Sequence, residues 1–140
     1  MNQILKTYQK TNLFGADHNL KLNIVRPGYI TYELTVQKKH LATPKVIHGG
    51  MIAALMDSIL GVAALSLTSE EGKVVSTIEF KINYLKPVQL GNSLKGIGTV
   101  EQQGNRILVC SGEIIDSNSK KIVAKGLGTF NTYPAEKAGI

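Results

Sequence analysis

The feature that most constrains this sequence is a long apolar segment, VIHGGMIAALMDSILGVAALSL, at residues 46–67. It shows no strand-like alternation and is too long for one strand, so it predicts a helix of about 19 residues, near 29 Å long. Its apolar part falls short of the about 20 residues of a membrane span and carries Asp57 at its centre, which favours a helix inside a protein core. Because such a helix is apolar nearly all round, other elements are expected to cover it nearly all round.

The segments on either side of this helix show the pattern of strands. Two strands are predicted before the helix, at residues 20–25 and 29–36, and four after it in meander spacing, at residues 74–85, 94–100, 107–115 and 121–130. In the longest of them, alternation places four apolar side chains on one face: Ile78, Phe80, Ile82 and Tyr84. One antiparallel sheet curled around a central helix accommodates this order, which predicts an α+β fold and a single domain over residues 1–140.

The two ends of the chain give weaker signals. The first ten residues predict a short helix with Ile4, Leu5 and Tyr8 on one face. The tail from Pro134 onward is expected to fray.

Asp57 is the only charged residue in the apolar segment. On a helix, its neighbours at three and four positions form a mostly small face: Ala53, Ala54, Leu60 and Gly61, with Ala64 one turn further. A small face lets a second helix or a ligand approach the helix backbone. Because a charge removed from water is costly without a partner, Asp57 is either a core acid satisfied by a nearby donor or part of a functional site.

His48-Gly49-Gly50 stands at the predicted start of the helix, where unpaired backbone N–H groups attract negative charge. The glycines either hold a carbonyl oxygen that becomes an oxyanion or simply form a tight entry to the helix. His48 and Asp57 are nine positions apart, which puts them on opposite sides of the helix and roughly 13 Å apart along its axis. Two antiparallel copies would bring the acid of one chain to the glycines of the other, which predicts a site shared across a two-fold dimer.

Composition argues against several classes of function. The net charge of +6 favours an anionic partner, but the lysines are scattered and aromatic residues make up only 6%, so no nucleic-acid-binding surface is predicted. A single cysteine, Cys110, excludes an intrachain disulfide, and the N-terminal residues lack the apolar core of a signal peptide, so a cytoplasmic location is predicted. The three histidines have no metal-ligand spacing, and no metal site is predicted.

The stretches HGGMIAALMDSILGVAA and STIEFKINYLKPVQLGN resemble the hotdog-fold acyl-CoA thioesterases, and within them the phenylacetate-pathway (PaaI-like) branch. The resemblance extends from about residue 20 to 131 and is carried by the HGG-to-Asp spacing together with a strand that ends in Y-x-x-P. It implies a long helix wrapped by an antiparallel sheet, in a homodimer or homotetramer. It also implies hydrolysis of a small-to-medium acyl or aryl-acyl CoA thioester to a free acid and CoA. No cofactor is implied, because CoA is part of the substrate.

The resemblance implies roles for four residues at the reacting centre. Asp57 would act as a general base on water or as a nucleophile. The Gly49 N–H would polarise the thioester carbonyl from the other subunit, and His48 would support that loop. Thr77 matches a position whose hydroxyl helps to place the water or the acid, with Ser76 as the alternative if the alignment shifts by one.

Further positions match those that hold the rest of the substrate in the family. The predicted hairpin turn at residues 102–106 corresponds to a turn that holds the CoA nucleotide. The planar guanidinium of Arg106 suits its phosphates, although a solvated turn residue is an equal alternative. The residues that the resemblance implies for substrate or CoA binding are Gly50, Tyr84, Gln103, Gly104, Asn105 and Arg106, with Asn131 at a further nucleotide position.

One loop departs from the family pattern. Ala42 stands six positions before His48, where many members carry Asn or Gln, and Lys45 replaces a common glycine. The neighbouring Thr43 could supply a hydroxyl in place of the amide. The departure leaves a non-catalytic acyl-CoA-binding protein of the same fold as the main alternative. A hotdog dehydratase fits less well, since a different motif with proline and glycine follows its histidine.

Overall fold

The computed structural model describes all 140 residues. In chain order its helices and strands are α1 (Gln3–Thr11), α2 (Leu13–Asp17), β1 (Lys21–Arg26), β2 (Tyr29–Thr35), α3 (Gly49–Thr68), β3 (Lys73–Tyr84), β4 (Ser93–Gln103), β5 (Ile107–Asp116) and β6 (Ile122–Pro134). Short 3₁₀ turns occur at Lys38–His40, Ser69–Glu71 and Ala135–Ala138. The long central helix and all six predicted strands are therefore present, with ends shifted by a few residues.

The six strands form one antiparallel sheet in the order β1-β2-β4-β5-β6-β3, with α3 packed on it. This is the predicted α+β arrangement. The predicted meander of the last four strands is wrong for β3, which pairs with β6 at the edge of the sheet rather than with β4. Strand spacing predicts pairing only when the connection is short. The connection over residues 85–92 is long enough to carry the chain from the edge to the middle of the sheet.

The core lies between α3 and the sheet. Leu55, Met56, Ile59 and Leu60 of α3 are fully buried there, and each such side chain contributes about 1.5–3 kcal/mol by its burial. The strands approach α3 closely because the positions that face it are glycines: Gly96, Gly98, Gly112, Gly126 and Gly128. A Cβ on any of them would press into Met56, Ile59, Leu60 or Phe80.

The sequence predicted that α3 would be covered nearly all round. In the structure the sheet covers only one side of it. A stripe along the helix is only half-buried: Ala53, Ala54, Asp57, Ser58 and Gly61. The small face expected around Asp57 is therefore present. Leu60 and Ala64, which were expected beside it, instead turn into the core and are fully buried.

The segment Gly49–Glu71 is long and apolar enough to cross a membrane when only length and composition are considered. However, 61% of its most apolar window is buried inside the protein. A core helix of a globular protein has the same properties, so the segment is no clear membrane span.

A β-bulge in β3 changes the predicted alternation of its side chains. The register with β6 shifts between Thr77 and Glu79, which makes Ile78 the extra residue. Ile78 is 53% exposed, although alternation placed it on the face of Phe80. Because of the bulge, Thr77 and Phe80 share a face: Thr77 hydrogen-bonds to α3 and Phe80 packs on the core. A bulge re-aims side chains in this way, and hydrophobic alternation does not reveal it.

The two ends of the chain pack together beside α3. Leu5 of α1, Leu65, Val74 and Ala135 form a small apolar cluster. The helix predicted in the first ten residues is α1, and the short α2 after it was not predicted. The prediction of a frayed tail is wrong at its beginning, because Ala135 packs into this cluster and is only 6% exposed.

Candidate active site

The first turn of α3 presents an unpaired backbone N–H group. His48 is the N-cap, and its Nδ1 accepts a hydrogen bond from the Gly50 N–H at 2.7 Å. The Gly49 N–H is exposed and has no partner within the chain. The His48 N–H donates to the His40 carbonyl at 2.8 Å, which ties this turn to the preceding loop. A free N–H at a helix N-terminus favours a carbonyl oxygen that gains negative charge.

The Tyr84 side chain packs against this turn. Its hydroxyl donates to the Gly49 carbonyl at 2.9 Å. A Cβ built on Gly49 would lie 3.7 Å from the Tyr84 ring, which is ordinary van der Waals contact. Tyr84 thus fixes the peptide on the carbonyl side of Gly49 and leaves its N–H free.

Asp57 lies on the half-buried stripe of α3, and Thr77 is its hydrogen-bond partner. Thr77 Oγ1 donates to Asp57 Oδ1 at 2.8 Å. The structure therefore places Thr77, and not Ser76, beside the acid. No lysine or arginine lies within ion-pair distance of Asp57. Its second carboxylate oxygen, Oδ2, is unpaired within the chain and available to a water molecule or a ligand.

Asp57 and Thr77 lie in the wall of a cavity of about 280 Å³. The rest of the wall is mostly apolar and includes Gly61, Val62, Leu65, Val75 and Phe130. Leu60 and Ala64, which the sequence placed near Asp57 on the helix, are buried in the core and do not line this cavity. Sequence reasoning also missed Tyr8, Phe130 and Tyr133 as cavity residues. The position of Tyr8 on the apolar face of α1 was the one available signal.

Within one chain, Asp57 and the Gly49 N–H cannot reach the same atom. The two residues are eight positions apart on α3, which separates them by about 12 Å along the helix axis. The strand that carries Thr77, β3, lies at an edge of the sheet and has one side unpaired. Unpaired strand edges readily accept another chain. The geometry therefore agrees with a site that a second copy completes, and that assembly stays a prediction.

The structure separates the residues expected to bind CoA into two groups. The hairpin residues Gln103, Gly104, Asn105 and Arg106 are exposed at the turn between β4 and β5. Asn131 of β6 pairs with Ile107 on one side and with Ser76 of β3 on the other. The turn before Ile107 therefore lies near the end of β3 that carries Thr77, the partner of Asp57. Gly50 and Tyr84 lie at the other end, with Tyr84 eight residues further along β3, or roughly 26 Å. One chain alone does not bring the two groups together.

The loop that departs from the family pattern is closed by Thr43. Its Oγ1 accepts hydrogen bonds from the N–H groups of Val46 at 3.0 Å and Lys45 at 3.3 Å. Ala42 is exposed and offers no polar side-chain atom. The Thr43 hydroxyl therefore serves the loop itself in this structure.

Two histidines, the buried His40 and the half-buried His18, form a pair that the sequence did not reveal. His40 is 2% exposed, its Nδ1 accepts from the Gln37 N–H at 3.0 Å, and its Nε2 lies 3.0 Å from His18 Nδ1. Burial lowers the pKa of His40, and the charges of His18 and Lys39 act in the same direction. No three His, Cys, Asp or Glu side chains come together in a way that could hold a metal ion.

Comparison with known proteins identifies the family. The model of the thioesterase superfamily matches residues 44–123. The chain belongs to the thioesterase superfamily. It is 28% identical to human acyl-coenzyme A thioesterase 13 over 130 residues, which cover 92% of this chain and 91% of that protein.

Two solved structures show the same fold. The Escherichia coli PaaI protein from the phenylacetic acid degradation operon superimposes with a TM-score of 0.84 at 21% identity, covering 92% of this chain and 90% of PaaI. A Streptococcus mutans protein bound to acetyl-CoA gives a TM-score of 0.73 at 26% identity, covering 83% of this chain and 90% of that one. The expected hotdog fold and thioester hydrolase class are confirmed. The roles of individual residues stay predictions.

Proposed function

We propose that this thioesterase hydrolyses small-to-medium acyl or aryl-acyl CoA thioesters to the free acid and CoA. The observation that carries the proposal is the position of Asp57, held by Thr77 in the wall of a mostly apolar cavity with one carboxylate oxygen free. Such an acid can take a proton from water or attack a carbonyl while the pocket holds the acyl group. The similarity to human acyl-coenzyme A thioesterase 13 over most of both chains supports the substrate class.

The proposed reaction uses two protomers. In a two-fold dimer with antiparallel α3 helices, the Gly49 N–H of one protomer faces the partner's Asp57 with the thioester between them. Asp57 accepts a proton from the attacking water, and the Gly49 N–H donates to the carbonyl oxygen as it becomes negative. The tetrahedral intermediate then expels the CoA thiolate, which takes up the proton. In the alternative route, the Asp57 carboxylate attacks the carbonyl and expels the CoA thiolate, which leaves a mixed anhydride. Water then hydrolyses the anhydride to the free acid and the Asp57 carboxylate, and the proton released from the water passes to the thiolate.

The CoA nucleotide is proposed to lie along the exposed hairpin turn. Arg106 supplies a cation there, and Gln103, Gly104 and Asn105 supply backbone and polar contacts. The net charge of +6 suits a phosphate-bearing substrate. The acetyl-CoA bound to the Streptococcus mutans protein supports a CoA ester as the substrate. We also propose a cytoplasmic location, because a reducing compartment suits the unpaired Cys110.

The test is turnover of an acyl-CoA panel by the wild type and by Asp57→Asn, with released CoA measured by a thiol reagent. Asparagine keeps the shape of the side chain and an oxygen for Thr77 but cannot accept a proton from water. A loss of about 10²–10⁴-fold in kcat is expected. The control is Asp17→Asn, the same chemical change at an exposed position, which leaves turnover unchanged. Wild-type turnover by a folded Asp57→Asn would overturn the proposal.

The same panel of acyl-CoAs tests the main alternative function. A non-catalytic acyl-CoA-binding protein would hydrolyse no member of the panel yet would be stabilised against heating by CoA. Turnover of at least one acyl-CoA that depends on Asp57 excludes this alternative.

A further inference from the structure

Tyr8 of α1 lies between two cavities. It lines the cavity that contains Asp57 and also a neighbouring cavity of about 250 Å³. The neighbouring cavity is formed by α1, α2 and the first strands, with Asn12, Ala16, Leu20, Leu22 and Tyr32 in its wall. Tyr8 is the only residue that the two cavities share. Tyr8 therefore stands where the two cavities meet, and its side chain is called the partition here.

This partition is held in place by several contacts. The Tyr8 phenol oxygen accepts a hydrogen bond from Asn12 Nδ2 at 3.1 Å and lies beside the hydroxyl of Tyr32, which is only 2% exposed. Asn12 is fixed in turn, because its Oδ1 accepts from the Gly15 N–H at 3.0 Å as the N-cap of α2. The Tyr8 ring packs against both apolar clusters of the protein.

The Tyr8 phenol is neutral at physiological pH, and its surroundings move its pKa further from that range. Burial raises the pKa of Tyr8, and the nearby negative charge of Asp57 acts in the same direction. A neutral aromatic side chain that is held at its hydroxyl and packed against both clusters gives the Asp57 cavity a rigid, mostly apolar wall.

We propose that Tyr8 is the end wall of the acyl pocket and restricts this thioesterase to short or compact acyl groups. The inference rests on the proposed function and names its substrate class more closely. The cavity of about 280 Å³ lies just below the roughly 300–1,000 Å³ of pockets for drug-sized ligands. Removal of the ring would join the two cavities and about double the space. The added space is partly lined by Leu20 and Leu22, so it would accept methylene groups.

The size of the effect follows from the burial of methylene groups. Each methylene group moved out of water strengthens binding about fourfold. Two or three that enter the neighbouring cavity would therefore raise kcat/KM for a long chain at least tenfold relative to a short one. In the wild type the same methylene groups meet the Tyr8 ring and gain nothing.

The experiment compares chain-length profiles of wild type, Tyr8→Ala, Tyr8→Leu and Tyr8→Phe. The measured quantity is kcat/KM over straight-chain acyl-CoAs from acetyl to dodecanoyl. Tyr8→Ala should move the preferred chain to longer acyl groups, with the long-to-short ratio raised at least tenfold, and Tyr8→Leu should give a smaller shift if Tyr8→Ala does not fold. Tyr8→Phe keeps the ring and should keep the wild-type ratio. Lys6→Ala, an exposed change on the same helix, controls for disturbance of α1.

Binding of non-hydrolysable S-alkyl-CoA thioethers to the same variants, measured by calorimetry, separates this inference from the proposed function. An unchanged chain-length profile in folded Tyr8→Ala and Tyr8→Leu overturns the inference and leaves the thioesterase function standing. If the wild type hydrolyses no acyl-CoA, the proposed function fails. The chain-length profile of thioether binding then decides by itself whether Tyr8 limits the length of the bound chain. Absence of both turnover and thioether binding overturns both.

Discussion

Replacement of Gly49 by proline removes one hydrogen-bond donor from the candidate site while the helix start stays intact. Gly49 is the first residue of α3, and its N–H is unpaired. Proline is favoured at the first helical position because the missing N–H has no intrahelical partner there. The preceding residue must be extended, and His48 already is, with φ −66° and ψ 131°. A side chain at position 49 meets Tyr84 only at 3.7 Å. Gly49→Pro should therefore fold with little change in stability.

The expected effect on activity is large. Loss of one oxyanion donor costs about 10²–10³-fold in kcat. Gly49→Ala keeps the N–H and fits the same space, so it should retain much more activity than Gly49→Pro. Both variants would be assayed for CoA release with one acyl-CoA, and circular dichroism and unfolding would show that they fold. If Gly49→Pro were as active as Gly49→Ala, the Gly49 N–H would not polarise the carbonyl.

A mixture of Gly49→Pro with Asp57→Asn then tests whether two chains share the site. In a hybrid dimer, one of the two shared sites pairs an intact Gly49 with an intact Asp57, and the other carries both defects. Random mixing makes half of the dimers hybrid, so about a quarter of the wild-type activity should return. Each variant alone would stay nearly inactive. If hybrids form, as shown by mass spectrometry of differently tagged chains, and no activity returns, each site lies within one chain.

Two further substitutions test the core and the histidine pair. In Gly98→Ala the new Cβ overlaps the Ile59 carbonyl oxygen, so α3 must shift and the free energy of unfolding should fall by about 1–3 kcal/mol. Gly126→Ala meets only the flexible Met56 side chain and should lose less. Urea unfolding at one protein concentration measures both, and equal losses would contradict the backbone clash. Because the pKa of His40 is lowered on folding, the unfolded chain binds more protons. Stability should therefore be full above about pH 6.5 and fall as the pH drops toward the folded-state pKa. Equal falls in wild type and His40→Gln from pH 8 to 5 would contradict this.

Local patterns predicted most of the secondary structure. The apolar run over residues 46–67 is long and has one acid, so the helix and its N-terminal glycines could be placed from sequence alone. The resemblance added Thr77, and the structure places its hydroxyl on the Asp57 carboxylate. These predictions depend on neighbours within a few residues or on a motif of fixed spacing. Such information is contained in the order of the residues.

Long-range pairing decided the features that the sequence left open. The pairing of β3 with β6 and the bulge at Ile78 depend on a strand that lies some 50 residues further along the chain. The same pairing places the Thr77 side chain opposite Asp57. The cavity wall joins Tyr8, Phe130 and Asp57 from distant parts of the sequence. No local pattern links these residues.

By itself, the sequence determined a buried helix that carries one acid and begins at a pair of glycines, because periodicity and spacing are properties of neighbouring residues. The tertiary structure alone decided which side of that helix stays open, which hydroxyl meets the acid and which distant residues line the cavity. Those features arise where segments far apart in the chain pack against each other, and the packing depends on the whole sheet.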